Sequence, residues 1–163
     1  PCGTLFPYTT LFRSVVIGEN TTIHSGTYIV GPVIIGNNCD IGPYTCIYPS
    51  TTIGNNTVIR SFSEIKNSII MNDIKIRSNS LLSHAVIGNG TIIDHGFSSL
   101  VGESKKHSDH ECITIKDIGV MIAEDSSIQS NVVTYPGVII GRHCLISSLK
   151  QIQHDIPSET RVM

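Results

Sequence analysis

A six-residue unit recurs along this chain, and its period limits the fold more than any other feature. The unit has an aliphatic residue first, often a glycine second, then two polar residues and a small residue. Clear copies begin at residues 17, 35, 53 and 140, where the sequence reads IGENT, IGNNC, IGNNT and IGRHC. A helix repeats apolar residues every three or four positions and a half-buried strand every second position, so a period of six predicts short strands joined by regular corners.

Three such units would close one turn of a triangular solenoid, with each strand about 4.8 Å above the strand one turn earlier. The aliphatic residues then fill the axis of the prism, and the small residues lie beside its corners. The predicted axial residues are Ile17, Ile23, Ile29, Ile35, Ile41, Ile47, Ile53, Ile59, Ile65, Ile70, Ile76, Leu82, Ile87, Ile93, Ile122, Ile128, Thr134, Ile140, Ile146 and Ile152. The predicted small positions are Thr21, Thr27, Val33, Cys39, Thr45, Thr51, Thr57, Ser63 and Ile69.

The repeat is shortened twice and interrupted once. Steps of five residues replace six at 65–70 and 82–87. At about 98–117 the sequence is polar and charged without hexad spacing, which predicts a loop that leaves the solenoid at a corner. A long loop in a compact domain is functional or disordered. The hexads then resume and run through 122–152.

Residues 1–14 stand outside the repeat. The segment 4–14 resembles the in-frame translation of a sequencing adapter. We therefore interpret 1–14 as a non-native leader and 15–163 as one β-helix domain, with a genuine N-terminal strand and turn as the alternative. On this interpretation the chain is a fragment whose upstream part is missing.

Composition and charge exclude several classes of partner. The chain is 40% apolar, lacks tryptophan and has a formal net charge of −2. It shows no basic patch for nucleic acid and no apolar run of the eighteen residues that a membrane span requires. Among its 5 cysteines, Cys39 and Cys144 fall at small inward positions and none shows paired spacing, which predicts reduced thiols in a cytoplasmic protein.

Several segments add a resemblance to the repeat. These are GPVIIG at 31–36, IGPYT at 41–45, EIKNSIIM at 64–71, PGVIIG at 136–141 and DIP at 155–157. Together they resemble the C-terminal domain of sugar-1-phosphate nucleotidylyltransferases. The relevant families are the glucose-1-phosphate thymidylyltransferase-like proteins and the bifunctional N-acetylglucosamine-1-phosphate uridylyltransferase/glucosamine-1-phosphate acetyltransferases. The resemblance implies an all-β fold, the left-handed parallel β-helix, assembled as a homotrimer.

Two activities are implied by this resemblance, in two different domains. Nucleotidyl transfer belongs to an N-terminal α/β domain with a Gly-rich phosphate loop and Mg²⁺, and this chain contains no such segment. Transfer of an acetyl group from acetyl-CoA to an amino sugar phosphate belongs to the β-helix, where a histidine is the general base. Ser78 occupies the position of that histidine here. A serine hydroxyl cannot act as a base near neutral pH, whereas an imidazole titrates in that range.

One histidine offers a substitute base. His95 is the third residue of the hexad that begins at Ile93, which lies three sides after the hexad of Ile76. We therefore expect His95 directly above Ser78, at a vertical offset of about 4.8 Å. His95, with Asp94 beside it in sequence, is the candidate catalytic residue, and a solvated corner histidine is the alternative.

Four residues are candidates for binding the substrate or CoA. They are Ser78, Asn131 and the two loop lysines Lys105 and Lys106, which could approach a phosphate of CoA or of a sugar.

Other polar residues are assigned no functional role. The loop contains His107, Asp109, His110, Glu111 and Cys112, but their spacing does not place two ligands on one face of a regular element. Zinc prefers a defined tetrahedral set, so we predict no metal site. The histidines interpreted as ordinary surface residues are His24, His84, His143 and His154.

Three functions are therefore open. The first is the oligomerisation module of a nucleotide-sugar-forming enzyme whose N-terminal catalytic domain is missing. The second is an active acetyl-CoA-dependent acyltransferase that acts on an amino sugar phosphate. The third is a non-catalytic structural or binding prism.

Overall fold

A computed structural model describes residues 14–107 and 112–163, which form 24 short strands and no helix. In chain order the strands are β1 (Val15–Ile17), β2 (Thr22–Ile23), β3 (Tyr28–Ile29), β4 (Val33–Ile35), β5 (Asp40–Ile41), β6 (Cys46–Ile47), β7 (Thr51–Ile53), β8 (Val58–Ile59), β9 (Glu64–Lys66), β10 (Ile69–Ile70), β11 (Lys75–Ile76), β12 (Leu81–Ser83), β13 (Val86–Ile87), β14 (Ile92–Ile93), β15 (Ser98–Ser99), β16 (Gly102–His107), β17 (Cys112–Ile118), β18 (Met121–Ile122), β19 (Ser127–Ile128), β20 (Val133–Thr134), β21 (Ile139–Ile140), β22 (Leu145–Ile146), β23 (Gln151–Ile152) and β24 (Arg161–Val162). The leader predicted at 1–14 lies outside the described residues except for Ser14.

These strands build the three walls of a prism. Sheet A has the order β1-β4-β7-β10-β13-β18-β21, and sheet B has the order β2-β5-β8-β11-β14-β19-β22-β24. Sheet C has the order β3-β6-β9-β12-β15-β20-β23. Successive strands pass from sheet A to B to C, and neighbours within a sheet are parallel and one turn apart. The fold is a left-handed parallel β-helix, as the resemblance implied.

The predicted axial residues form the core. From Ile35 onward every one of them is buried, and the hydrogen-bonded register places each directly over its equivalent one turn away. Toward the N-terminus the axial residues are less buried: Ile17 is 45% exposed, and Ile23 and Ile29 are partly buried.

One predicted small position was wrong. Ile69 is 50% exposed on the outer face of sheet A, and Ser68 fills the inward corner position instead. The five-residue step moves the inward position back by one residue. The Ser68 hydroxyl donates to the Lys66 carbonyl at 2.7 Å and accepts from the Ala85 amide at 3.1 Å, which satisfies its burial.

The corners suit the polar residues of the repeat. Many corner residues have positive φ, a conformation that asparagine and aspartate adopt more readily than other non-glycine residues. The Asn and Asp residues in this conformation are Asn20, Asn38, Asn56, Asn67, Asp73, Asn79, Asp117, Asp125 and Asn131.

The excursion expected at about 98–117 contains a two-stranded antiparallel ribbon, formed by β16 and β17. Ser98 and Ser99 still belong to sheet C and the Leu100 amide donates to the Thr134 carbonyl at 2.9 Å, so the chain leaves the prism after Leu100 and returns at Gly119. The Ser99 hydroxyl accepts from the Val120 amide at 3.3 Å and donates to the Ser83 carbonyl at 3.2 Å. This hydroxyl therefore ties the start and the end of the excursion to the preceding coil.

Candidate functional site

The strand register brings Ser78 and His95 to one corner of the prism. β11 pairs with β14 so that Ile76 lies opposite Ile93. Two residues further on, Ser78 and His95 therefore occupy equivalent places in successive turns. The Gly96 amide donates to the Ser78 carbonyl at 3.1 Å, which fixes this stacking in the backbone.

Among the described residues, no carboxylate contacts the His95 imidazole. His95 is exposed, and within residues 14–107 and 112–163 its ring makes no hydrogen bond. The neighbouring Asp94 instead forms an ion pair with Arg77, with Nε to Oδ1 at 3.0 Å. A catalytic base is ordinarily held in place by a third group. Within the described residues, the corner therefore presents an exposed histidine beside the Arg77–Asp94 ion pair.

Asn131 joins the same corner one turn later. The backbone N–H of Asn131 donates to the His95 carbonyl at 2.8 Å. The Asn131 side chain lies over Gly96, where a Cβ added to that glycine would collide with the side-chain oxygen. Gly96 has a φ of 73°, so glycine is favoured there on backbone grounds as well. In this position Asn131 packs the corner.

The two candidate lysines lie on the ribbon, at the corner between sheets C and A. Lys105 lines a polar groove of about 340 Å³ together with Ser104, Pro136, Gly137 and the closing segment at 153–155. Lys106 pairs through its backbone with Ile113. The structure therefore brings Ser78, His95 and Asn131 together and places the lysines on a different corner.

One charge cluster was missed by the sequence analysis. Asp40 on sheet B accepts from His24 Nε2 at 2.7 Å and lies 3.2 Å from Nη1 of Arg60. The partners are 16 and 20 residues from Asp40 in sequence, so only the turn-by-turn register could have revealed them. All three side chains are substantially exposed, and such pairs contribute little to stability.

Aromatic rings form two pairs on the early coils. Tyr44 stacks on Phe62 with centroids 5.5 Å apart, and Tyr28 meets Tyr48 edge-on at 6.3 Å. The Glu64 carboxylate, with smaller effects from Cys46, partial burial and Tyr28, raises the pKa of Tyr48 above its ordinary value.

Within the part of the chain that the structure describes, no three His, Cys, Asp or Glu residues come close enough to hold a metal ion. Asp109, His110 and Glu111 of the loop motif lie outside the described residues. Cys39, Cys46 and Cys144 are free thiols. The same described ranges contain no helix long and apolar enough to cross a membrane.

A family model described as the GMPPB C-terminal domain matches residues 29–115. No curated protein matches the sequence. Among solved structures, a UDP-N-acetylglucosamine acyltransferase from Campylobacter jejuni is similar over 90% of this chain and 66% of its own, with 14% identity and a TM-score of 0.66. LpxA, a UDP-N-acetylglucosamine acyltransferase from Bacteroides fragilis, matches over 90% and 66% of the two chains, with 18% identity and a TM-score of 0.49. This chain thus spans 66% of the length of either structure.

Proposed function

Because the chain belongs to the GMPPB C-terminal domain family, we propose that it is the assembly module of a sugar-1-phosphate nucleotidylyltransferase. In this proposal a preceding domain performs Mg²⁺-dependent nucleotidyl transfer in the cytoplasm, and the β-helix holds several copies together. The observation that supports an assembly role is the unequal chemistry of the three outer walls.

The outer wall of sheet A is apolar at every outward position except Thr52. Its outward residues follow one another in register, one per turn, and we call this row the apolar face: Val16, Ile34, Thr52, Ile69, Val86, Met121 and Ile139. Ile34 is 53% exposed, and a groove of about 280 Å³ runs between Met71, Met121 and Ile139. A largely apolar outer surface of this kind marks an interaction site.

The outer walls of sheets B and C carry charged and polar residues among their outward positions. The outward row of sheet B includes Asp40, Lys75 and Arg161, and the row of sheet C includes Glu64 and Gln151. Charged residues are depleted from the cores of protein interfaces. The apolar face is therefore the wall that further copies of this chain would cover, with a homotrimer as the assembly that the resemblance implies.

Light scattering coupled to size-exclusion chromatography tests this assembly. We expect an oligomer for the unaltered chain and a shift toward monomer for Ile34→Glu and for Ile139→Glu. Ile92→Glu is the matched control, because Ile92 is an exposed strand residue on sheet B beside Lys75. A monomeric parent, or equal effects from all three substitutions, would contradict assembly through sheet A.

Acetyl-CoA-dependent acyl transfer to an amino sugar phosphate is the second candidate. The groove beside Lys105 favours it, because the ammonium is exposed beside a polar cleft that could accept a phosphate. Ser78 and the unsupported His95 oppose it. The test is release of free thiol from acetyl-CoA on addition of glucosamine 1-phosphate. Turnover that is lost in His95→Ala would establish acyl transfer, and its absence in the parent would leave the assembly role.

The proposed catalytic domain is tested separately. We expect the genomic sequence upstream of the codon for Val15 to encode, in frame, a strand followed by a Gly-rich loop with Arg and Lys. A start codon close to that position would contradict the nucleotidylyltransferase proposal and leave a domain that stands alone.

A further inference from the structure

The antiparallel ribbon of β16 and β17 presents apolar side chains to solvent. Ile113 is 50% exposed and Ile115 is 37% exposed. They are two positions apart on β17, so both side chains emerge on the same side of the ribbon. Thr114, between them, emerges on the opposite side, where it is paired with Lys105 of β16. The two isoleucines therefore extend exposed apolar surface beyond the walls of the prism.

This side of the ribbon is continuous with the apolar face. Ile115 shares the lining of a cleft of about 330 Å³ with Ile69 and Val86, which are two members of the apolar face. The lining also includes Lys116 and Asp117, whose charges have opposite signs, so the cleft does not select a charged small molecule. Its apolar part instead joins the ribbon to the outer wall of sheet A.

The base of the ribbon is fixed at the corner between sheets C and A. The chain leaves the prism after Leu100 and returns at Gly119, whose amide donates to the His84 carbonyl at 3.0 Å. Ser104 of β16 packs so closely over Gly137, at the same corner, that a Cβ on this glycine would collide with the serine side chain. The corner therefore sets the direction in which the ribbon projects.

The angle between this corner and the apolar face is the angle that a closed ring of three copies requires. A cyclic assembly joins two different patches of each copy, and in a ring of three the directions toward the two neighbours differ by about 60°. In a triangular prism, the outward direction of a wall and that of an adjacent corner also differ by about 60°, which allows such a ring to close. The corner opposite the wall differs by about 180°, and contacts through it would build an open chain.

The other two corners do not offer a matching apolar patch at that angle. In the described part of the chain, the corner between sheets A and B carries a column of exposed asparagines, whose side-chain oxygens bond to the backbone: Asn37, Asn55, Asn72 and Asn89. The corner between sheets B and C carries the stacked rings of Tyr44 and Phe62, but it lies opposite sheet A. The ribbon corner is therefore the one that combines apolar side chains with the angle for closure.

From these features we propose that the ribbon of one copy covers the apolar face of the next copy in a cyclic trimer. This inference rests on the proposed assembly role and supplies the second half of the interface. Ile113 and Ile115 provide the apolar contacts, and Lys116 and Asp117 lie at the polar rim that such interfaces ordinarily have. The partner is a second copy of this chain, because each copy carries both patches at the angle that closes the ring.

Substitutions on the two sides of β17 test the role of the ribbon. We call the chain with both Ile113→Glu and Ile115→Glu the ribbon variant, and Thr114→Glu is the control on the opposite side of the same strand. Sedimentation velocity over a dilution series measures the association. We expect the ribbon variant to associate at least about tenfold more weakly than the parent, and the control to associate like the parent. Thermal unfolding of each chain checks that the fold is intact.

The outcomes separate this inference from the assembly role. Equal association of the parent and the ribbon variant, with loss of association in Ile139→Glu, would overturn the inference and leave assembly through sheet A. Equal weakening by the ribbon variant and by Thr114→Glu would also overturn it. A monomeric parent would overturn both proposals.

Mixing two defective chains tests whether ribbon pairs with face. The ribbon variant keeps an intact apolar face, and Ile139→Glu keeps an intact ribbon while it alters the face one turn from Met121, where the chain has just left the ribbon. Each chain alone should be monomeric, whereas an equimolar mixture should form a one-to-one dimer through the single intact contact, measured by energy transfer between labelled chains. A mixture of Ile34→Glu with Ile139→Glu is the control and should stay monomeric, because both chains carry the same damaged patch. Absence of pairing in the first mixture would show that the apolar face does not pair with the ribbon.

Discussion

At the scale of single residues, Tyr48 shows how the stacking of turns couples side chains that are distant in sequence. The Glu64 carboxylate raises the pKa of the Tyr48 phenol above its ordinary value of about 10. Because the pKa is raised in the folded chain, any stabilisation from this group is present below the unfolded pKa and is lost as the pH rises through the folded pKa. Glu64→Gln should therefore lower the Tyr48 pKa.

The measurement is a titration of the tyrosine ring signals by nuclear magnetic resonance, with Tyr48→Phe to assign the signal. Glu159→Gln, a substitution at an exposed corner near the C-terminal end, is the control and should leave the Tyr48 midpoint unchanged. An unaltered midpoint in Glu64→Gln would show that the carboxylate is not the cause.

Counting in hexads could predict which residues stack but not which side chains interact. The vertical pair of Ser78 and His95 follows from the period alone, since each strand sits over its equivalent one turn earlier. The ion pair between Asp94 and Arg77 does not, because the period places Asp94 next to His95 in sequence and over Arg77 one turn below without saying which of them the carboxylate contacts. Arg77 offers a permanent charge and a planar set of donors, and it therefore forms the ion pair.

At the scale of the repeat, the glycine of one unit and the asparagine of the unit one turn later pack against each other. The side-chain oxygens of four asparagines accept hydrogen bonds from backbone N–H groups one turn earlier. The distances are 2.7 Å for Asn37, 2.8 Å for Asn55, 2.8 Å for Asn72 and 2.9 Å for Asn89. Each of the first three lies over a glycine whose Cβ would meet the amide oxygen, as Gly36 would meet Asn55 at 2.5 Å. The recurrent Ile-Gly-Asn sequence is thus explained by contacts between turns.

Removing one of these asparagine side chains should lower the free energy of unfolding modestly. Asn55→Ala leaves the Asn37 amide without its acceptor, and because the site is exposed, water replaces part of the bond. We expect a loss of about 0.5–1.5 kcal/mol in the free energy of unfolding, measured in urea. Asn55→Asp keeps the acceptor and should recover much of the loss. Equal losses in both variants would mean that the side-chain oxygen is not what stabilises the corner.

The ribbon marks the limit of what the period could predict. The sequence indicated that the hexads stop near Ser98, because the polar residues that follow lack the aliphatic residue of the repeat. Ser99 nevertheless takes the axial place, buried and paired with Thr134. It did not predict the pairing of β16 with β17. Ile113, Thr114, Ile115 and Lys116 alternate, but residues 102–107 show no alternation that would identify a partner strand, and the two strands pair only with each other. The cleft of about 330 Å³ beside β17 was missed for the same reason, because it exists only where β17 returns beside His84.

At the scale of the whole molecule, stability should vary along the axis. Each turn of a solenoid contacts only its neighbours, so a turn covered on both sides gains two interfaces and a terminal turn gains one. Ile59 is fully buried between turns, whereas Ile17 is 45% exposed and Ile23 is partly buried. The N-terminal strands β1–β3 should therefore exchange their amide hydrogens faster than β7–β9.

Two matched core substitutions test whether stability rises from the N-terminal turn toward the middle of the prism. Both Ile59→Ala and Ile23→Ala remove the same atoms from the axis of sheet B, but only Ile59 lies between fully formed turns. We expect Ile59→Ala to lower the free energy of unfolding by about 2–5 kcal/mol, because it leaves a cavity that the neighbouring turns cannot fill. Ile23→Ala should cost clearly less, since its site is already partly open to water, and its effect should be confined to faster exchange in β1–β3. Urea unfolding with residue-resolved hydrogen exchange measures both quantities. Equal losses, or exchange that accelerates uniformly along the chain in both variants, would show that the prism unfolds as one cooperative unit rather than from its open end.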